Sequence, residues 1–325
     1  MKTRVLAAII GLALALSLPR WIGGTYYVNV ASQIIIAAVF ALGLNVLVGY
    51  AGLVSLGHAG LFGLACYGAA VMLAHGWGQA AAAAGGLVVT LVGTAAFAGL
   101  ALRASGIGFI MITLALGQIL WGLAYRWLSV TNGDNGINVT ARPAPFGISL
   151  DGAIPFYYAT LAVFLLTLAA VAVFVRSPFG ASLCGTRDQP RRMTALGYHV
   201  WLIRFYACLF SGLVSGVAGL LFLYYNQFIS PEAISLAGSA EVLLMVISGG
   251  SGTLFGPIAG AALVVVVKSV ASAYVARWNL LLGAIFVGIV LFMPEGLVPG
   301  SARLVRWALR SLRARPARTA ARGEP

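Results

Sequence analysis

Ser55 and His58 stand three residues apart, a spacing that on a helix puts a hydroxyl and an imidazole on one side, where a base could draw the nucleophile's proton for hydrolysis. No third group is evident to orient the histidine, and His75 and His199 fall in expected loops on opposite sides. Three isolated histidines give no ligand cluster, so no metal site is expected. Cys66, Cys184 and Cys208 are scattered without paired spacing, which indicates neither a disulfide framework nor a cysteine metal site. ATP chemistry is excluded as well: the only lysines are Lys2 and Lys268, and neither stands in a Gly-x-x-x-x-Gly-Lys-Ser/Thr frame. The chain therefore reads as no enzyme, with no resident cofactor. Of the acidic residues Asp134, Asp151, Asp188, Glu232, Glu241, Glu295 and Glu324, most fall at loops or ends, and only Glu241, like Lys268, lies within a long apolar run. Glu241 follows Ser239 at an expected helix start, where a carboxylate complements the helix dipole, so a capping role competes with a functional one. Lys268 can snorkel toward a polar boundary.

The elements that must position these residues are set by composition. Hydrophobic residues make up 61% of the 325 and charged ones 8%, against about a quarter charged in a soluble domain. Such a chain cannot present a water-compatible surface, and in lipid every backbone amide must find its partner internally, within helices or a closed barrel. The apolar runs have helical length: Tyr27 to Val48 and Phe156 to Val175 each approach the ~20 residues that cross a bilayer. The alternation of a transmembrane barrel is absent. The fold class is thus an all-α polytopic membrane protein, with spans expected near residues 5–22, 28–48, 55–75, 79–102, 105–125, 156–175, 204–225, 239–248, 254–275 and 280–293. Ten crossings is the count, within a range of eight to ten.

The formal net charge of +13 would suit nucleic acid, but seven arginines lie in the tail from Arg303 to Arg322 and five more between Arg176 and Arg204. Clusters so placed are positive-inside flanks, and nucleic acid is not an expected partner. Lys2, Arg103, the 176–204 loop and the tail then share the cytoplasmic side, with both termini inside. Met1 to Ser17, with Lys2 and Arg4 ahead of an apolar run, have the form of a signal peptide, yet Leu18-Pro19-Arg20-Trp21 offers no convincing small-residue cleavage site, so the stretch reads as the first helix. The arginines at 303, 306, 310 and 313 interleave with apolar residues as in a helix lying on anionic lipid; the last dozen residues read as a disordered basic end.

Two glycine-rich interruptions stand out. The run 239–248 is too short to cross about 30 Å of hydrocarbon and leads into Gly249-Gly250-Ser251-Gly252-Thr253, so it reads as half a helix. Its counterpart in the first half is Gly49 to Gly60. Short interrupted segments in corresponding halves point to a transporter's midplane site; close helix packing at small residues explains the glycines equally well. Residues 126–155 read as an external loop whose Thr131–Gly136 run suits positive φ. The 176–204 loop fits either a solvated positive-inside connection or a helix that docks a soluble partner through Arg187 and Asp188.

Taken together, these motifs resemble the branched-chain amino acid permease family, specifically its M-type subunit. The likeness runs through most of the chain: Gly-Tyr-Ala-Gly-Leu-Val-Ser-Leu-Gly-His-Ala-Gly from Gly49, Thr-Asn-Gly-Asp-Asn-Gly-Ile from Thr131, Ser-Pro-Phe-Gly from Ser177 with Ala-Leu-Gly-Tyr from Ala195. It continues through Ser211-Gly212-Leu213, Gly216-Val217-Ala218-Gly219, Gly249 to Pro257 and Pro294-Glu295-Gly296-Leu297. The resemblance implies a permease domain over 1–302 and a basic cytoplasmic tail over 303–325, in a bacterial inner membrane. It implies a paralogous H-type permease subunit, two ATP-binding-cassette ATPase subunits and a periplasmic amino-acid-binding protein as partners. Gly49, Gly52, Ser55, Gly57, His58, Glu241, Gly249, Gly250, Gly252 and Gly256 would line or hinge the pathway. Phe179, Gly180, Arg187, Asp188, Ala195 and Gly197 would couple to the ATPase. Cys184-Gly185-Thr186 and Pro190 depart from the family's more helical pattern, which implies a shorter or shifted docking helix. Permeases for urea, short amides or other amino acids share these motifs, and an ion-coupled carrier is the alternative class.

Overall fold

The computed structural model describes residues 24–139, 150 and 152–274, with Ser17, Pro19 and scattered positions between 280 and 300. Most of the first expected span, half of the last and the whole basic tail lie outside the described residues. Eight expected spans fall inside them and each is a helix: α1 (Thr25–Asn45), α2 (His58–Ala74), α3 (Gln79–Ala101), α4 (Ile107–Arg126), α6 (Ala153–Arg176), α9 (Val200–Asn226), α10 (Leu236–Gly249) and α11 (Gly256–Tyr274). Short helices fill the connections: α5 (Leu128–Thr131), α7 (Pro178–Asp188) and α8 (Pro190–Ala195). Among the described residues, five helices are long and apolar enough to span: α1 with the π-helical turn Val46–Ala51 that extends it, α3, α4, α6 and α9. At 14 residues α10 is about 21 Å long, short of a full crossing, as its sequence implies.

With no water to satisfy them, intrahelical hydroxyls turn back on their own backbone: Ser32 donates to Val28 O at 3.0 Å, Thr90 to Gly86 O at 2.8 Å and Thr167 to Val163 O at 2.8 Å. Packing ranks the helices. The α1 span is 78% buried and α9 61%, whereas α3, α4 and α6 are 28% or less; α2, buried at most of its positions, belongs with α1 and α9 at the centre, and α3, α4 and α6 lie around them. Small residues on α9 allow this: Gly212 and Gly216 lie against Thr94 and Thr90 of α3, and Gly219 against the Phe62 carbonyl of α2.

One end of the bundle carries a two-stranded antiparallel pair, β1 (Ile137–Asn138) with β2 (Phe228–Ile229), in register Ile137 to Ile229. The Thr131–Gly136 run builds this end with left-handed Asn132, Gly133 and Gly136, the positive-φ positions its sequence suits. The opposite end carries α7 and α8. Cys184-Gly185-Thr186 is helical: α7 runs unbroken through all three and ends at Asp188. Pro190 occupies the first turn of α8, where no amide hydrogen is required, and pushes only Gln189 out of helical conformation.

Candidate functional site

The chain leaves α1 through the π-helical turn and reverses at Gly52, whose φ of +69° ends it in the left-handed region. Leu53 to Gly57 then returns without regular structure toward the middle of the bundle, where α2 starts at His58. A helix starting inside protein exposes amide hydrogens that no solvent can satisfy. Ser239 of α10 accepts the Ala59 N–H at 3.1 Å, and Thr113 of α4 accepts the Leu56 N–H at 3.2 Å. The second interruption, Gly250 to Phe255, is a tight turn between α10 and α11. Thr253 closes it, donating to Gly250 O at 2.9 Å and accepting from Gly256 N–H at 3.0 Å.

The two interruptions meet. Asn45, fully buried in the last turn of α1, donates from Nδ2 to Thr253 O at 3.0 Å and accepts the Gly252 N–H on Oδ1 at 3.0 Å. Gly49 lies directly beneath Gly252: any Cβ there would overlap the Gly252 backbone and the Asn45 amide oxygen. Arg187 of α7 completes the junction, donating from Nη1 to Gly49 O at 2.7 Å while its methylenes lie across Gly52. Nε of Arg187 pairs with Asp188 at 2.8 Å, and that carboxylate raises the guanidinium's pKa above its ordinary value. Arg204 ties the same helix to α9, donating to Thr186 O at 2.9 Å.

His58 does not pair with Ser55. Its Nε2 lies 2.9 Å from Ser211 Oγ on α9, and Ser211 donates in turn to Gly43 O of α1 at 2.5 Å. The single hydroxyl proton is committed to Gly43, so His58 must carry its own on Nε2 and leave Nδ1 as an acceptor. Nδ1 and Ser55 Oγ are both buried without a hydrogen-bond partner among the described residues. The three-residue spacing thus yields no nucleophile and base, because Leu53–Gly57 is not helical.

Glu241 is not a capping residue. Ser235 caps α10, accepting from Gly238 N–H at 3.4 Å, which places Glu241 in the second turn. Both of its oxygens lie 3.2 Å from Lys268 Nζ, so Lys268 is paired rather than snorkelling alone. Within 176–204, Phe179 packs its ring on Phe174 at 5.1 Å, and Gly180 is buried at the start of α7 with its N–H on Ser177 Oγ. Ala195 and left-handed Gly197 stand apart from the junction, within a stretch from Arg187 to His199 in which every residue but Met193 is exposed. Asn45 and Ser211 were not singled out by spacing. Their signal is polarity inside an apolar run, Asn45 in the 28–48 segment and Ser211 in the 204–225 segment.

Over residues 26–293 the chain matches the family described as branched-chain amino acid transport system / permease component. Two relatives, the high-affinity branched-chain amino acid transport system permease proteins LivM of Salmonella typhimurium and Escherichia coli, are each 29% identical to it, the alignment covering 84% of this chain and 70% of theirs. No solved structure matches.

Proposed function

The chain belongs to the branched-chain amino acid transport system permease family, and from that membership we propose that it is a permease subunit of an ATP-driven importer of branched-chain amino acids. In this reading it sits as a multi-pass protein in a bacterial inner membrane with both termini cytoplasmic, beside a paralogous H-type permease. One of the two ATPase subunits docks on the 176–204 segment, whose exposed face runs from Arg187 to His199, and a periplasmic binding protein delivers substrate at the β1–β2 end.

The observation that carries the proposal is the 2.7 Å bond from Arg187 to Gly49 O. A helix bearing an exposed basic platform is thereby tied to the backbone where α1 reverses and where the second glycine turn rests on it. Displacement of α7 by a closing ATPase pair would move both turns together. The segment from Leu53 to His58 and the Gly250–Phe255 turn then act as hinges of an alternating-access pathway, with Ser55, His58 and Ser211 as polar groups along it.

The test is uptake of radiolabelled leucine by proteoliposomes holding this chain with its neighbouring permease, ATPases and binding protein. ATP-dependent uptake that vanishes when this chain is omitted is the expected result. Uptake of urea or another amino acid instead of leucine would change the substrate alone. Leucine transport by this chain alone, driven by an ion gradient, would overturn the mechanism.

A further inference from the structure

The end of α6 beside α7 joins an apolar groove to one unneutralised charge. A cavity of about 340 Å³ opens there, lined by Ala172, Val173, Arg176 and Ser177. The serine is committed to the backbone: its Oγ donates to Phe174 O at 2.7 Å and accepts the Gly180 N–H at 3.3 Å. Arg176 is exposed, with no carboxylate or hydrogen-bond partner among the described residues. Leading to the cavity, Ala162, Leu166, Ala169, Ala170 and Val173 recur at three- and four-residue steps, all exposed, Leu166 at 72% and Val173 at 71%. They form one strip along α6 that ends at Arg176, and the two alanines keep it shallow between the branched side chains.

The level of Arg176 follows from the length of its helix. At 24 residues α6 is about 36 Å long, more than the about 30 Å of hydrocarbon, so its last turn reaches the headgroup layer while the strip stays among acyl chains. The sign of the charge selects the occupant. Among the described residues this end of the bundle carries Arg103, Arg176, Arg187, Arg191, Arg192 and Arg204 against Asp188 alone, and Arg187 takes Asp188. A cation at a helix C-terminus complements the dipole, which accounts for an arginine there but not for the groove that leads to it. A free anion would meet the guanidinium and leave the strip unused. An anionic phospholipid matches both parts, its phosphate on the guanidinium and an acyl chain along the strip.

We propose that this groove binds an anionic phospholipid, with the phosphate on Arg176 and an acyl chain over Val173, Ala170, Ala169 and Leu166, at the joint from which α7 departs. The site requires that the chain span a membrane, not that it import amino acids.

The test is native mass spectrometry of the full chain, purified in a neutral detergent and titrated with dioleoylphosphatidylglycerol or dioleoylphosphatidylcholine. The first phosphatidylglycerol is expected to bind about fivefold tighter than phosphatidylcholine, the share that one arginine near a membrane surface contributes. Arg176→Gln abolishes the preference while binding phosphatidylcholine as the wild type does, which shows that the fold is kept. Arg103→Gln removes an exposed cation at the same end but outside the cavity, and retains the preference. Val173→Trp fills the groove from an exposed position and weakens the binding of both lipids. Equal binding of the two lipids by the wild type, or equal loss of preference in Arg176→Gln and Arg103→Gln, would overturn the site and leave only the diffuse attraction of a basic surface. Displacement of phosphatidylglycerol by inorganic phosphate, with Val173→Trp lacking effect, would overturn it in favour of a free-anion site.

Discussion

The two glycine-rich reversals share a partner in Asn45 but are built on opposite principles. The first, from Gly49 to Gly57, is buried except at Gly52 and a few intermediate positions, and distant groups hold it: Arg187, Thr113 and Ser239 each satisfy one of its backbone groups or those of the helix it starts. The second, from Gly250 to Phe255, is mostly accessible and closes on itself through Thr253. A reversal held from outside registers the movement of whatever holds it, whereas a self-closed turn moves as one piece. The first is therefore suited to receive motion from α7, and the second to follow through Asn45.

The largest expected effect tests the contact between them. Gly49→Val places a branched side chain against the Gly252 backbone and the Asn45 amide, neither of which can retreat as a flexible side chain could. Overpacking of this kind costs about 3 kcal/mol. The expected outcome is loss of the monodisperse peak in size-exclusion chromatography of detergent-solubilised protein; a stable Gly49→Val protein would mean that the reversals do not press together. Asn45→Ala comes next. It removes two neutral hydrogen bonds and leaves the Gly252 amide and Thr253 carbonyl with only partial access to water, a loss of about 2 kcal/mol read as a lower midpoint of thermal unfolding.

How much of this was legible in the sequence depends on the range of the interaction. Helices are local, so runs such as 28–48 and 156–175 fell within a few residues of the observed α1 and α6. Turn chemistry is local too, and Asn132, Gly133 and Gly136 adopted the conformations their types favour. Partner choice is not local. His58 had Ser55 three residues away but bonds Ser211, because the backbone between Ser55 and His58 is not helical and α9 brings a hydroxyl to the imidazole. Glu241 reads as lying at a helix start because the apolar run is taken to begin at Ser239, yet α10 begins one turn earlier, capped by Ser235, and Ser239 serves α2 instead. Likewise Lys268 read as a lone snorkelling cation, since nothing local announces that α10 will set Glu241 beside it. The two glycine motifs were visible from the start; that they would touch rests on Asn45, one polar residue within an apolar helix.

Arg187→Ala sharpens the comparison from the side of function. Its bond to Gly49 O is charge-assisted, but the guanidinium is 39% exposed to screening solvent, so its contribution to stability is about 1 kcal/mol. If the chain is the importer subunit proposed above and the first reversal receives motion through this contact, the variant folds and assembles while ATP hydrolysis by the proposed partner subunits continues and leucine uptake falls about tenfold. Hydrolysis and uptake falling in equal proportion would instead assign Arg187 to docking.

The smallest effect is expected at Thr253→Val, which keeps the side chain's shape and deletes the two bonds that close the second turn. Removal of a hydroxyl that caps a helix costs about 0.5–2 kcal/mol, and water reaching this partly exposed turn can replace much of what is lost, which puts the effect at the low end. The decisive quantity is its additivity with Asn45→Ala. A turn that closes on itself and is then clasped as a unit gives a double variant whose thermal destabilisation equals the sum of the two single ones. A double variant no worse than Asn45→Ala alone would show that Thr253 matters only by presenting its carbonyl to Asn45, and the second reversal would then be held from outside just as the first one is.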